Sequence, residues 1–185
     1  MGSDYRFVTE WQVQGTVAEV VEILGDGPSL TRWWPSVYLE VKVVNEGGPG
    51  RVGSRMALHT KGWLPYTLHW LLTITEPITS DGFALSAAGD LNGRGRWRFE
   101  QRGPEVVITY DWQVAATKPL LRRMSWLLRP AFSANHHWAM ARGLESLRLE
   151  LLRRRAVNDH VALERVPAPP GPTWYRRVPA VTGSR

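Results

Sequence analysis

Residues 83–99 read FALSAAGDLNGRGRWRF, two alternating runs with Asn92-Gly93 between them. An Asn-Gly pair tolerates positive φ and favours tight hairpins, so this stretch predicts two antiparallel strands. A strict two-residue loop would pair Leu91 with Arg94 and set an apolar face beside a row of arginines. A three-residue bulged loop, Asn92-Gly93-Arg94, pairs Leu91 with Gly95 and removes the conflict. One face then carries Phe83, Leu85, Ala87, Gly89 and Leu91, continuing through Gly95, Trp97 and Phe99. Arg96, Arg98 and Glu100 fall on the other face, toward water.

Outward from this hairpin the period of two persists from Val37 to Ala116, with turn residues at the spacing of an antiparallel meander. Strands are predicted around Val37–Val43, Val52–Thr60, Tyr66–Glu76, Phe83–Leu91, Gly95–Gln101 and Glu105–Ala115. Val37, Leu39, Val41 and Val43 read as one strand face. Tyr5 to Gln14 alternates as well, which brings the total to about seven strands. Two short helices follow that first strand. Thr16 and Glu19 have the spacing of a capping box, Val17, Val20, Val21 and Leu24 share a face, and Gly25 offers a left-handed stop. Ser29 is placed to cap the second, which carries Trp33 and Trp34 and ends at Pro35. After Ala116 the period becomes helical. Leu120, Leu121, Met124, Leu127 and Leu128 form a first segment and Pro130 breaks or kinks it. A second runs from about Ala131 to Arg154, with Phe132, His136, Met140, Leu144, Leu147 and Leu151 as one stripe. A break at Pro130 would let the first segment gate whatever the second covers.

The expected fold is therefore α+β, a helix-grip: a curved antiparallel sheet of about seven strands wrapped around a long C-terminal helix. Residues 1–155 form this domain and 156–185 a basic, Pro-rich tail in which Trp174-Tyr175 is the one oily spot. A chain of 185 residues suffices for one real core. Cysteine is absent, which excludes disulfides, thiolate metal sites and cysteine nucleophiles. Asp4 and Glu10 stand where a signal peptide would be basic and then apolar, so a cytoplasmic protein is expected. The net charge of +6 is concentrated toward the C-terminus, in Arg153-Arg154-Arg155 and Arg176-Arg177 among others. That asymmetry reads as a solvated helix face plus tail, or as a weak contact with an anionic membrane; no nucleic-acid partner is expected.

The order of elements, with Trp33-Trp34-Pro35-Ser36-Val37 between helix and strand, resembles the START-like (SRPBCC) superfamily of polyketide cyclases and lipid-transfer domains. The runs Gly89-Asp90-Leu91-Asn92-Gly93-Arg94-Gly95-Arg96-Trp97 and Asn135-His136-His137-Trp138-Ala139-Met140 look like its polyketide-cyclase/dehydrase subgroup. The resemblance covers roughly residues 4 to 155. It implies a hydrophobic cavity between the sheet and the C-terminal helix.

The candidate ligand-binding residues are Trp33, Trp34, Trp70, Trp97, Phe99, Tyr110, Trp112, Phe132, His136, Met140 and Leu144. Singly, each ring reads as core; as a set they suit a groove, and Ala87, Gly89 and Gly95 leave volume for something to occupy. His136 lies on the inward stripe of the helix and is the one candidate acid/base, since imidazole titrates near neutrality. The alternative, and the favoured one for a single buried imidazole, is a core histidine satisfied by a neighbour such as Tyr110 or Asn135. His137 is about a hundred degrees further round and faces outward. Adjacent histidines are poor metal spacing on a helix, and no metal or cofactor is expected. Asp90 and Asn92 have calcium-loop spacing, but Arg94 and Gln101 stand where ligands are needed. Asp90 and Asp111 fall on polar faces. Three functions follow as expectations. The chain carries a small hydrophobic ligand (a lipid, isoprenoid or aromatic polyketide), or it is a cyclase or dehydratase using His136, or it associates peripherally with membranes. The oligomeric state is left open.

Overall fold

The computed structural model describes residues 4–116, 125–159 and 165–172. Seven strands form one antiparallel sheet: β1 (Asp4–Gln14), β2 (Tyr38–Asn45), β3 (Arg55–Lys61), β4 (Thr67–Thr79), β5 (Gly82–Gly89), β6 (Leu91–Arg102) and β7 (Glu105–Ala116). Their order across the sheet is β1-β7-β6-β5-β4-β3-β2, so the first two strands in sequence occupy opposite edges. Helices α1 (Val17–Leu24) and α2 (Leu30–Trp33) span the gap between them, and α3 (Ser125–Asn158) closes the concave side. This is the helix-grip arrangement. Among the described residues no helix is long and apolar enough to cross a membrane.

The β5–β6 hairpin keeps the expected faces but not the expected register. Leu85, not Leu91, pairs with Gly95, and Ala87 pairs with Gly93. The shift is an even number of residues, so every side chain stays on its assigned face. The turn lies earlier because Gly89, at φ 130°, supplies the conformation closed to other residues. Asn92 Oδ1 accepts the Gly89 N–H, while Asp90 accepts the His69 N–H and its own amide donates to His69 O. Asn92 and Gly93 are instead strand residues, held by pairing with Ala115 and Val114 of β7.

Local signals elsewhere were partly realised. In the capping box Thr16 Oγ1 accepts the Glu19 N–H and Glu19 Oε2 accepts the Thr16 N–H at 2.8 Å. Arg155, near the end of α3, donates to the same carboxylate (2.7 Å), which ties the first and last helices together. That bond holds Glu19 at a pKa of about 2. Gly25 ends α1 in the right-handed region, φ −77°, so the expected left-handed stop is corrected. Ser29 does not cap α2 with its side chain; its hydroxyl donates to Asp26 O and closes the preceding 3-10 turn. On β2 a register shift between Tyr38 and Glu40 moves Leu39 off the inward face. Tyr38, Val41 and Val43 face inward instead, opposite Thr60, Leu58 and Met56.

Pro130 neither ends α3 nor splits it, and the helix continues from Ser125 to Asn158. A proline costs one backbone bond, and the turns beyond it are anchored by packing on the sheet. Of the expected first segment, Leu120 to Leu128, residues 120–124 lie outside the described residues, and so does the Trp174-Tyr175 spot. Toward its C-terminal half α3 packs into a solid core, with Leu147 and Leu151 buried. Glu150 is buried there too, held by Arg32 of α2 (2.7 Å) and by Arg154 (3.0 Å). The solid core thus lies at one end of the helix, and the other end is free to roof a cavity.

Candidate functional site

Between the N-terminal half of α3 and the concave face of the sheet lies a partly open cavity of about 210 Å³. Its wall is mostly apolar and carries a band of aromatic rings. Trp97 and Tyr110, cross-strand partners on β6 and β7, stack with centroids 4.0 Å apart, and Trp112 continues the stack at 5.8 Å. Trp70 of β4 leans on Trp112 (6.2 Å) and anchors its indole N–H to Thr60 Oγ1 at 3.0 Å. Trp34 closes the α2 side, set edge-on against Tyr38 at 5.3 Å. From α3 come Phe132, His136 and Met140. Eight of the eleven sequence candidates therefore line one cavity: Trp34, Trp70, Trp97, Tyr110, Trp112, Phe132, His136 and Met140. Trp33, Phe99 and Leu144 belong to the packed core and are not part of the wall.

The glycines expected to open space do not do so. Gly95 does not leave empty volume, because a Cβ there would lie 2.6 Å from Tyr110 Oη and 3.0 Å from Trp112 Cε3. Likewise a Cβ at Gly89 would meet the backbone of His69 and Trp70. Both spaces are already filled by the protein.

Several wall residues escaped sequence reading. Tyr38 was missed because no local signal marks the bulge that turns it inward. Tyr5, Phe7, Tyr66 and Asn135 gather around His136 and Phe132 at one end of the cavity. Asn135 Oδ1 accepts from the backbone N–H of Trp63 (2.9 Å) and of Leu64 (3.3 Å), so it latches the β3–β4 loop to α3. Gly62 permits this approach, since any side chain there would strike the Asn135 amide.

Across residues 5–151 the chain matches the family described as polyketide cyclase / dehydrase and lipid transport. The chain belongs to that family. Solved structures agree on the fold. The chain superposes on TTHA0849 from Thermus thermophilus with a TM-score of 0.62 at 18% identity, covering 84% of this chain and 99% of that one. For the Zhui aromatase/cyclase from Streptomyces sp. R1128 the TM-score is 0.62 at 16% identity, with coverage of 82% and 96%. A START superfamily protein from Mycobacterium smegmatis gives 0.59 at 15% identity, with coverage of 77% and 98%. No curated protein matches the sequence. Family and fold together support a hydrophobic-ligand-binding or cyclase role.

Within this polyketide cyclase/dehydrase and lipid-transport family member, the cavity offers few groups for chemistry. Among the described residues no carboxylate lines it, and its charged side chains are Lys61 and Arg51. Asp111 lies outside, paired with Arg6 at 2.8 Å, a contact that lowers its pKa. His136 stacks on Phe7 at 4.1 Å, and its Nε2 lies 3.4 Å from Thr9 Oγ1. Its polar neighbour is thus Thr9 and not Tyr110 or Asn135. Burial, with a smaller contribution from His137, lowers its pKa to about 4. At neutral pH His136 is an uncharged imidazole. His137 is exposed and its Nδ1–H donates to Ser133 O at 2.7 Å.

Proposed function

We propose that this chain binds and carries a small apolar molecule in the cavity between α3 and the sheet, with the lipids, isoprenoids and aromatic polyketides as the candidate classes. The observation that carries the reading is the wall: Trp34, Trp70, Trp97, Tyr110 and Trp112 present flat apolar surface, and among the described residues no carboxylate joins them. Apolar surface removed from water stabilises a complex by about 25 cal/mol per Å², before ordering costs. A rigid stacked wall keeps those costs low. Titration with the neutral fluorophore N-phenyl-1-naphthylamine tests this directly. Saturable binding that an organic extract of the freshly purified protein displaces is expected. Absence of binding by any neutral apolar probe would sink the reading.

A second reading, cyclase or dehydratase chemistry, is favoured by one observation: His136 sits in the cavity wall. A neutral imidazole there serves as a base and not as a ready acid. His136→Ala should then abolish turnover of a polyketide-like chain while binding of the apolar fluorophore persists. Unchanged turnover would remove His136 from the chemistry.

A further inference from the structure

Tyr38 and Tyr110 stand out among the residues of the wall. They come from β2, at one edge of the sheet, and β7, next to the other edge, and the curl of the sheet brings both to one cavity. Each ring is fixed by an aromatic neighbour, Tyr38 by Trp34 and Tyr110 by Trp97. Tyr110 Oη is seated over Gly95. Neither hydroxyl hydrogen-bonds to the other or to any other described residue. Thr60, opposite Tyr38, is already engaged with Leu68 O and Trp70. Neither tyrosine oxygen is among the sealed, unpaired side-chain atoms, so both hydroxyls open onto the cavity and are left to water or to an occupant. A hydrocarbon there would strip that water and give nothing back, which is costly for an O–H donor. An occupant with one oxygen acceptor removes that cost.

On the reading that the cavity holds an apolar molecule, we propose that Tyr38 and Tyr110 form a donor pair that selects ligands carrying an uncharged oxygen acceptor, such as a ketone, over the matching hydrocarbon or carboxylate. The preference for a neutral group follows from the same burial. Both phenols have pKa values raised by desolvation, and Tyr38 adds to the shift at Tyr110. An environment that penalises a phenolate penalises a carboxylate for the same reason. Lys61 and Arg51 are the charged members of the wall, and Arg51 is exposed.

Three probes of one skeleton test this: 2-acetylnaphthalene, 2-ethylnaphthalene and 2-naphthoate, each titrated calorimetrically. The ketone should bind about tenfold tighter than the hydrocarbon, the worth of roughly one net hydrogen bond. The carboxylate should bind more weakly than the ketone. Tyr38→Phe and Tyr110→Phe should each reduce the ratio of ketone to hydrocarbon affinity, and the double variant should bring it to about one. A readout that needs no variant is the carbonyl stretch of bound 2-acetylnaphthalene, expected below its frequency in hexane. Equal affinity for ketone and hydrocarbon, or a hexane-like stretch, overturns the donor pair and leaves the carrier reading standing. Failure of all three probes to bind overturns the carrier reading itself, and the donor pair with it.

Discussion

Gly95→Ala is the sharpest perturbation of the wall, since it adds one methyl group where two rings already meet. Gly95 is buried on β6, paired with Leu85 on one side and Trp112 on the other. Its φ lies outside the left-handed region, so alanine meets no backbone strain there. The new Cβ would lie 2.6 Å from Tyr110 Oη, 2.9 Å from its Cε2 and 3.0 Å from Trp112 Cε3. Carbon contacts settle near 3.5–4.0 Å, so the rings must retreat by roughly 0.5–1 Å. Tyr110 cannot retreat freely, because Trp97 is stacked on it at 4.0 Å. Overpacking of this kind costs about 2–3 kcal/mol, the upper part of the usual range because two stacked rings must move together, and the lower chain entropy of alanine returns about 1 kcal/mol at most. The net loss of about 1–2 kcal/mol should lower Tm by roughly 2–8 °C for a domain of this size. Thermal unfolding by circular dichroism measures it, and near-UV signals report the stack. Tyr110→Phe removes the nearest atom, so the double variant should recover part of the loss, with a coupling of about 0.5 kcal/mol or more. A Gly95→Ala protein as stable as its parent would contradict this packing. It would mean that the space beside Gly95 is open, and that small residues make the cavity after all.

The other predictions concern the ends of the site and its titrating groups. His136, with a folded pKa of about 4 against 6.5 unfolded, binds fewer protons when folded. Its stabilising effect is complete above pH 6.5 and is lost as the pH falls toward 4, and histidine NMR should show one ring neutral at pH 6. Glu19 is also depressed, from 4.5 to about 2, by Arg155 first. Glu19→Gln should cost about 1 kcal/mol at pH 7, by analogy with losing a cap, and the difference should shrink as the pH drops from 4.5 toward 2 in acid-unfolding curves. Asn135→Ala should free the β3–β4 loop, leaving apolar-probe affinity within about threefold while stopped-flow association and dissociation both accelerate; unchanged rates would deny the latch a role in access. Gly62→Ala strikes the same latch from the other side and should mimic it.

The fold was legible because its strongest signals were periodic and redundant. A sheet face depends on parity alone, so an error of six in the β5–β6 register left Trp97 and Phe83 facing inward all the same. The α1 capping box was readable because both halves of the motif are local in sequence. What escaped was set by tertiary pairing. Asn92-Gly93 looked like the turn until β7 claimed it as strand, and Pro130 looked like a break until packing carried α3 through it. The β2 bulge is the costliest omission. It has no sequence signature, and it turns Tyr38 into the cavity in place of Leu39.

The candidate site shows the same division, with a functional consequence. Alternation placed Trp70, Trp97, Tyr110 and Trp112 on inward faces, which is a statement about hydrophobicity. Parity does not say which inward residues wall a cavity and which fill core; that depends on where α3 leaves the sheet, toward Phe132 and Met140, and where it packs down, at Leu147 and Leu151. Nor does it say which distant hydroxyls share the cavity, since Tyr38 and Tyr110 are 72 residues apart and line one wall only because the sheet curls. The apolar character of any ligand is therefore written in the strand pattern. Its polar requirement is written in the curvature, and Tyr38→Phe is the substitution that separates the two: it leaves the apolar wall intact and removes one donor. If ketone and hydrocarbon probes lose affinity equally in that variant, Tyr38 is merely part of the wall; a loss confined to the ketone makes it a selector.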